Sequence, residues 1–212
     1  MAAPPALSVI IPFFNEAGNV HPVIDEVHAQ LDGIPFEIIC VNDESSDATG
    51  AELAEARKKH PDTVFVFSHI QRRGKSAALF TGLKAVRGEW VQLLDGDGQN
   101  DPGDTARLWK AIIAPGAPGA LGLVAGKRNS RNDSGFKWVQ ALVKRAGWDV
   151  REELVNDRRR LAGESKYGFL GRLGAGIFDL IGMFWLVRRG GYGIAAEWND
   201  PRADGQARTD RP

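Results

Sequence analysis

A mainly parallel α/β sheet flanked by helices is the fold class this sequence predicts, and two observations predict it. Short, apolar, β-branched runs recur through the first 126 residues, and a helical pattern separates each from the next. Residues 7–12 (LSVIIP) form the first run, continuous and apolar as a strand covered on both faces must be. Val20, Val23, Ile24, Val27 and Leu31 then fall at i, i+3, i+4 spacing, the stripe of a helix packed on one side. Residues 37–42 (EIICVN) make a second strand, and Asp47 can cap a helix running through His60. A third strand at 63–68 (TVFVFS) precedes a helix at 75–86, and a fourth at 90–94 (WVQLL) precedes a helix at 104–113. A fifth run, 121–126 (LGLVAG), closes the series. Such alternation implies right-handed βαβ units, whose ligands bind in the crevice at the C-terminal ends of the strands.

Composition bounds the answer. The chain has 212 residues, 43% apolar and 25% charged, which excludes a disordered tail, a collagenous repeat and a disulfide scaffold. Cys40 is the one cysteine, so no intramolecular disulfide forms, and its place on a strand makes it a core residue in a reducing compartment. Lys plus Arg equal Asp plus Glu at 27 each, but residues 127–172 carry 12 basic side chains against 6 acidic, a stretch suited to anions or simply a solvated face. The start lacks a basic n-region and does not read as a signal peptide, so the expected location is cytoplasmic. The apolar segment at 173–187 is shorter than the roughly 20 residues of a membrane span and contains Asp179. The organisation expected is a domain over 1–170, an apolar or interfacial helix over 171–189 and a disordered tail over 190–212.

The strand ends carry the chemistry. The first runs into Pro12, Phe14, Asn15 and Glu16, the second into Asn42, Asp43 and Glu44, and the fourth into Asp95, Gly96, Asp97, Gly98 and Gln99. Neither a G-x-G-x-x-G nor a complete P-loop fingerprint is present. In extended chain, residues i and i+2 point the same way, so Asp95 and Asp97 can offer carboxylates to one hard cation, Mg²⁺ or Mn²⁺, with Gln99 adding a carbonyl oxygen. Taken alone, D-G-D-G is equally a turn.

Six segments in order carry a resemblance: SVIIPFFNE, VNDESSDAT, QRRGKSAAL, LLDGDGQNDP, AGKRNSR and RRRLAGESKYG. Together they resemble a family 2 glycosyltransferase of the GT-A fold, in the dolichol-phosphate mannosyltransferase and polyprenyl-phosphate glycosyltransferase branch. The resemblance implies a metal-dependent, inverting transfer of a hexose from a nucleotide-diphosphate sugar to a polyprenyl or dolichyl phosphate at a membrane surface, with no nucleic acid involved. It places Pro12, Phe14, Glu16, Val41 and Asp43 around the base and ribose. Asp95, Gly96 and Asp97 fall at the sugar diphosphate, with Asp97 catalytic and Asp95, Asp97 and Gln99 on the metal. Arg128, Arg160 and Lys166 fall on phosphate groups. Lys75 is left between the nucleotide and a helix-capping role, and Arg131, Arg158 and Arg159 read as solvated charge.

The chain departs from relatives near residues 136–142, where SGFKWVQ passes almost directly to ALVKRAGWDVREELVNDRRR. Relatives carry several dozen further residues there, including a D-x-G-C-type motif that this chain lacks. A lipid monophosphate is already ionised near neutral pH and needs no general base, so positioning alone is sufficient chemistry for the acceptor. The alternative reading is a nucleotide-sugar-binding relative whose catalysis is impaired by loss of the acceptor site. The segment at 173–187 is open to either an interfacial or a buried position, and the expected location is peripheral, on the cytoplasmic face of the membrane.

Overall fold

Four strands lie side by side in one sheet, and the apolar residues of three of them are covered on both faces. The structure, a computed structural model, describes residues 4–113, 121–128, 140, 143–145, 147–156 and 158. Strands β1 (Leu7–Phe13), β2 (Phe36–Asn42), β3 (Val64–Ser68) and β4 (Trp90–Leu93) form one parallel sheet in the order β3-β2-β1-β4. Helices α1 (Val20–Gln30), α2 (Thr49–Lys59) and α3 (Lys75–Ala85) make the crossovers, and α4 (Pro102–Ile113) follows β4. Val9, Ile11, Phe13, Ile38, Cys40 and Val64 face α1, α2 and α4, while Ile10, Ile39, Val41, Phe65 and Phe67 face α3. Cys40 is fully buried, and desolvation pushes its thiol pKa up, as befits an inert core residue.

The helix boundaries have local causes. The N-cap of α2 is Ala48 rather than Asp47, but Asp47, one residue earlier, still accepts the Thr49 N–H on Oδ1 at 3.0 Å and secures the first turn. Helix α4 begins at Pro102 rather than at 104, because Asp101 Oδ1 accepts the Gly103 N–H at 2.8 Å and proline suits the first helical position. In α1, Pro22 stands in the first turn, where its missing N–H costs nothing.

Two features differ from expectation. On β4, Val91 and Leu93 are exposed, because among the described residues α3 covers the sheet over β1 to β3 and does not reach that face of β4. Second, β5 (Leu121–Arg128) pairs in parallel with a strand that the sequence did not suggest, β6 (Asp149–Val155), in a separate two-stranded sheet. The segment DVREELV is mostly charged and half-exposed, so backbone pairing rather than an apolar run makes it a strand. Of the expected C-terminal organisation, the helix at 171–189 and the tail at 190–212 lie outside the described residues.

The packing of α1 on α2 buries part of a titratable cluster. The His28 and His60 rings stack at 4.0 Å, with Thr63 Oγ1 3.2 Å from His28 Nε2. Burial, with the nearby His60, lowers the His28 pKa. The folded state therefore binds the His28 proton less readily than the unfolded chain. The stability His28 contributes is complete above its ordinary value of roughly 6.5 and is lost as pH falls through the lower folded value. Asp25 beside it is also lowered, chiefly by the hydrogen bond from Lys59, but acts only in the acid range of carboxylates. Urea unfolding at pH 7.5, 6.5 and 5.5 is expected to show stability declining with acid, with a shallower decline in His28→Gln.

Candidate functional site

In the order β3-β2-β1-β4, the chain leaves β1 toward β2 on one side, and β4 is added on the other. The crevice for a ligand opens where that order reverses, outside the C-terminal ends of β1 and β4. The residues there are those the sequence nominated, together with partners it did not.

The β1–α1 and β2–α2 loops are sewn together. Asn15 N–H donates to Ser45 Oγ at 3.0 Å, and Asn15 Oδ1 accepts the Ser46 N–H at 2.8 Å. Glu16 N–H donates to Thr49 Oγ1 at 2.8 Å, and Ala17 N–H to Asp47 Oδ2 at 3.2 Å. Asn15 and Glu44 hold positive φ values of 51° and 58°, a conformation that non-glycine residues keep only where their surroundings enforce it. Glu44 Oε2 accepts the Arg72 N–H at 2.6 Å, and the Arg72 guanidinium lies 4.0 Å over the Phe14 ring. The Glu16 carboxylate accepts the Asn19 side-chain amide at 2.8 Å, near the start of α1.

Asp43 is the hub of the next layer. Its side chain is 4% exposed, and Oδ1 lies 2.7 Å from His69 Nδ1 and accepts the Arg73 N–H at 2.8 Å. Oδ2 accepts the Gly74 N–H at 2.7 Å. Since a carboxylate only accepts, His69 Nδ1 is the donor, and its Nε2 lies 2.8 Å from the Thr81 hydroxyl. Sequence reading missed His69 because it sought acids at strand ends. The signal was its position immediately after β3, beside the end of β2. Asp43→Ala leaves three donors without their acceptor, so it is expected to cost at least about 2 kcal/mol. Urea unfolding measures that loss, and nucleotide titration is expected to show weaker binding because the 72–75 loop loses its anchor.

Val41 is corrected. Its side chain is fully buried in the core facing α3, since residues of a doubly covered strand alternate between two cores, and it offers no surface to a base or ribose. Pro12 is half-buried and presents its carbonyl oxygen to Gly96. Gly96 is required there, because a Cβ would stand 2.6 Å from Phe13 Cδ1 and 2.9 Å from Pro12 O.

The extended-chain argument for Asp95 and Asp97 does not apply, because β4 ends at Leu93 and the chain turns at 96–98. The D-G-D-G segment is thus a turn as well as an acidic strand end. Asp97 is buried, and its Oδ1 accepts the Gln99 N–H at 3.0 Å. Asp95 is more open, with its side chain 39% exposed, and its Oδ1 lies 2.5 Å from Lys75 Nζ. Among the described residues no group of three His, Cys, Asp or Glu side chains could hold a metal ion.

Arg158 is also corrected from solvated charge. Its guanidinium spans Glu26 Oε1 and Asp101 Oδ1, each at 2.6 Å, and its N–H donates to Gln99 O at 3.1 Å. Burial would raise the Asp101 pKa, but hydrogen bonds from Asn156, Gly103 and Arg158 outweigh it and lower the value. Asp104, where burial dominates, is raised. Arg158 is thereby bolted to the loop that follows β4 and Asn156 to the start of α4, the Asn156 N–H donating to Asp104 Oδ2 at 2.6 Å. Arg128 ends β5, and its side chain, like Arg131, Arg159, Arg160 and Lys166, lies outside what the structure describes.

Acidic strand ends gathered at the switch point of a parallel sheet suit a GT-A glycosyltransferase fold, and the family match and structural neighbours show that class. The match to glycosyl transferase family 2 runs over residues 8–192, and the chain belongs to that family. It is 34% identical over 135 residues to the dodecaprenyl-phosphate galacturonate synthase of Rhizobium johnstonii, covering 61% of this chain and 38% of that protein. It is 33% identical over 106 residues to the dolichol-phosphate mannosyltransferase of Pyrococcus furiosus, covering 50% of this chain and 30% of that protein. The chain thus spans well under half the length of these relatives. In structure it is similar to the mannosyltransferase PcManGT of Pyrobaculum calidifontis, solved with GDP-Man and Mn²⁺. The TM-score is 0.63 at 19% identity, covering 90% of this chain and 66% of that one. Glucosyl-3-phosphoglycerate synthase of Mycobacterium tuberculosis, solved with Mn²⁺, UDP and its product, aligns with a TM-score of 0.60 at 19% identity, over 84% of this chain and 79% of that one. Among the described residues no helix is long and apolar enough to cross a membrane.

Proposed function

We propose that this chain transfers a hexose, with inversion, from a nucleotide-diphosphate sugar to a polyprenyl or dolichyl phosphate, with Mg²⁺ or Mn²⁺ as cofactor. The observation that carries the reading is the placement of Asp95 and Asp97 at the switch point between β1 and β4, beside the interlocked ends of β1 and β2. Similarity to polyprenyl-phosphate sugar transferases supports the acceptor class.

The donor type, though not yet a complete ligand set, suits a hard divalent cation: Asp95 and Asp97 would supply carboxylate oxygens, and the Lys75 ammonium group beside Asp95 lies where positive charge is favoured. Two carboxylates leave the rest of a coordination shell to phosphate oxygens and water. Such a cation, when bound, neutralises charge on the departing nucleoside diphosphate. The chain's own residues do the remainder. Phe14, Glu16 and Asp43, with Pro12, border the nucleotide, and Asp43 does so chiefly by fixing the 72–75 loop. Arg128, Arg160 and Lys166 hold phosphate groups of donor and acceptor. The acceptor phosphate, already ionised, attacks the anomeric carbon opposite the leaving group, so orientation is what the protein must supply.

The basic stretch at 127–172 suits anionic headgroups, which supports a peripheral position at a membrane surface. The test is transfer from UDP-glucose, UDP-galactose and GDP-mannose to a short polyprenyl phosphate with Mn²⁺, with donor binding followed by calorimetry on the same sample. Transfer that stops on chelation supports the reading. Donor binding without transfer from any donor overturns it in favour of a binding relative that lacks the acceptor site.

A further inference from the structure

We propose that β6 is a guide strand and that Arg158 is its last fastening, a positioning residue that sets the 159–166 segment beside the acidic turn at 95–99. The functional half of this inference rests on the transfer proposed above, and the placement stands apart from it.

The contacts along β6 supply the first argument. Arg151 Nη1 donates to Ala111 O at 2.8 Å, Arg107 Nη2 donates to Leu154 O at 2.7 Å, and the Asn156 N–H donates to Asp104 Oδ2 at 2.6 Å. Asn156 Nδ2 then donates to Asp101 Oδ2 at 3.0 Å, and Arg158 Nη2 lies 2.6 Å from Asp101 Oδ1. As residue numbers rise along β6 and past its end, their partners fall along α4, from Ala111 back to Asp101. The strand therefore runs antiparallel to α4 and leaves toward the start of that helix, where the acidic turn lies. Among the described residues β6 pairs only with β5, and its side chains are mostly charged and half-exposed, so polar fastenings rather than apolar packing fix that exit.

Arg158 completes the series. Its guanidinium joins Asp101 to Glu26 of α1, each at 2.6 Å, and its N–H donates to Gln99 O at 3.1 Å, two residues past Asp97. The Glu26 and Asp101 side chains are 27% and 12% exposed, so these ion pairs are better sheltered from water than an ordinary surface pair. Both arms of the guanidinium fork meet carboxylates of the protein, and the charge of Arg158 is matched inside the fold rather than by a phosphate. Arg160 follows two residues later, so its Cα stands within about 7 Å of that of Arg158. The basic segment thus begins where the acidic turn ends.

Placement and transfer are read separately. Cys40 is buried, so cysteines introduced as Ala54→Cys, on the exposed face of α2, and Glu164→Cys take the two nitroxide labels. Pulsed electron paramagnetic resonance is expected to give a narrow distance distribution in the parent chain and a broadened one with Arg158→Met. Arg158→Lys keeps the charge without the fork and is expected to fall between the two. Glu26→Gln takes one carboxylate from the fork and leaves Arg158 in place, so the broadening is also read in a variant that keeps the Asp101 contact. In transfer to a short polyprenyl phosphate, Arg158→Met is expected to lower kcat/KM about a hundredfold, the loss that a misplacement of about 1 Å brings. Added to Arg160→Ala, the same change is expected to lower kcat/KM by less than about tenfold, because it acts through the residue it places. A merely structural role would lower both backgrounds alike. A broad distribution in the parent chain, no broadening in either variant, or equal losses in the two backgrounds overturns the positioning role. A narrow parent distribution that broadens in Arg158→Met, with no transfer by the parent chain, overturns the proposed function and upholds the guide strand.

Discussion

Asp97→Asn is expected to lower metal-dependent sugar transfer by at least about a thousandfold while leaving the thermal transition nearly in place. The two halves of that result have separate causes. Asp97 is buried, and its Oδ1 accepts the Gln99 N–H that closes the turn after β4. Asparagine keeps an oxygen at the same reach, so the turn survives. What it removes is the negative charge, and a neutral amide binds a hard divalent cation far less well than a carboxylate. Alanine would confound the two, because it also leaves the Gln99 N–H without its acceptor. Turnover of the Asn variant within tenfold of the parent, with chelation still abolishing it, would show that the charge resides on another residue and would remove Asp97 from the reaction.

The βαβ core was legible because its signals are redundant. Residues 7–12 and 37–42 are apolar at their buried positions except for the paired Ser8 and Glu37, and Val20, Val23, Ile24 and Val27 are all buried where the stripe predicts. Strand β6 was illegible for the opposite reason. Its side chains are half-exposed and charged, and only pairing to β5 identifies it. The bare face of β4 could not be foreseen either, since WVQLL contains no statement of which helix covers it.

The site was legible by type of residue and less so by arrangement. Acidic strand ends were found because carboxylates are conspicuous, and the strand order then brings three of them toward one crevice. Val41 was misplaced because it lies on the same side of the sheet as Asp43 but two residues deeper, where α3 covers it completely. His69 and Arg158 were missed because their importance lies in what they touch. His69 orients Asp43, and Arg158 spans residues as distant as Glu26 and Asp101. Long-range polar contacts of this kind leave no periodicity for sequence reading to detect.

At the far end of the sheet, Arg87→Ala is expected to cost about 1–3 kcal/mol of stability, less than a fully buried pair would lose because the Arg87 side chain is 45% exposed while Glu37 is buried. Glu37, the second residue of β2, has a side chain only 1% exposed. Its Oε1 accepts the Ser8 hydroxyl at 2.8 Å and the Arg87 N–H at 2.9 Å, and its Oε2 accepts Arg87 Nε at 2.7 Å. Ser8 Oγ in turn accepts the Gly88 N–H at 2.9 Å, so the loop entering β4 hangs on this network. Removing the guanidinium leaves a buried carboxylate without the cation that faces it, while the Ser8 hydroxyl and the Arg87 N–H still donate to it. Arg87→Lys restores charge but not the forked geometry and is expected to recover part of the loss. The paired change Glu37→Met with Arg87→Met removes both charges together and is expected to be less destabilising than Arg87→Ala alone, because a well-packed apolar pair can replace a buried ion pair. Urea unfolding at pH 7 orders the three variants. Glu37 pairs with Ser8 near the N-terminal ends of the strands, whereas the crevice lies at their C-terminal ends, so nucleotide affinity per folded molecule is expected to be unchanged in all of them. A variant that lost nucleotide binding while still folded would mean that the α3–β4 loop transmits its position along β4 to Asp95, and would join the two ends of the sheet into one functional unit.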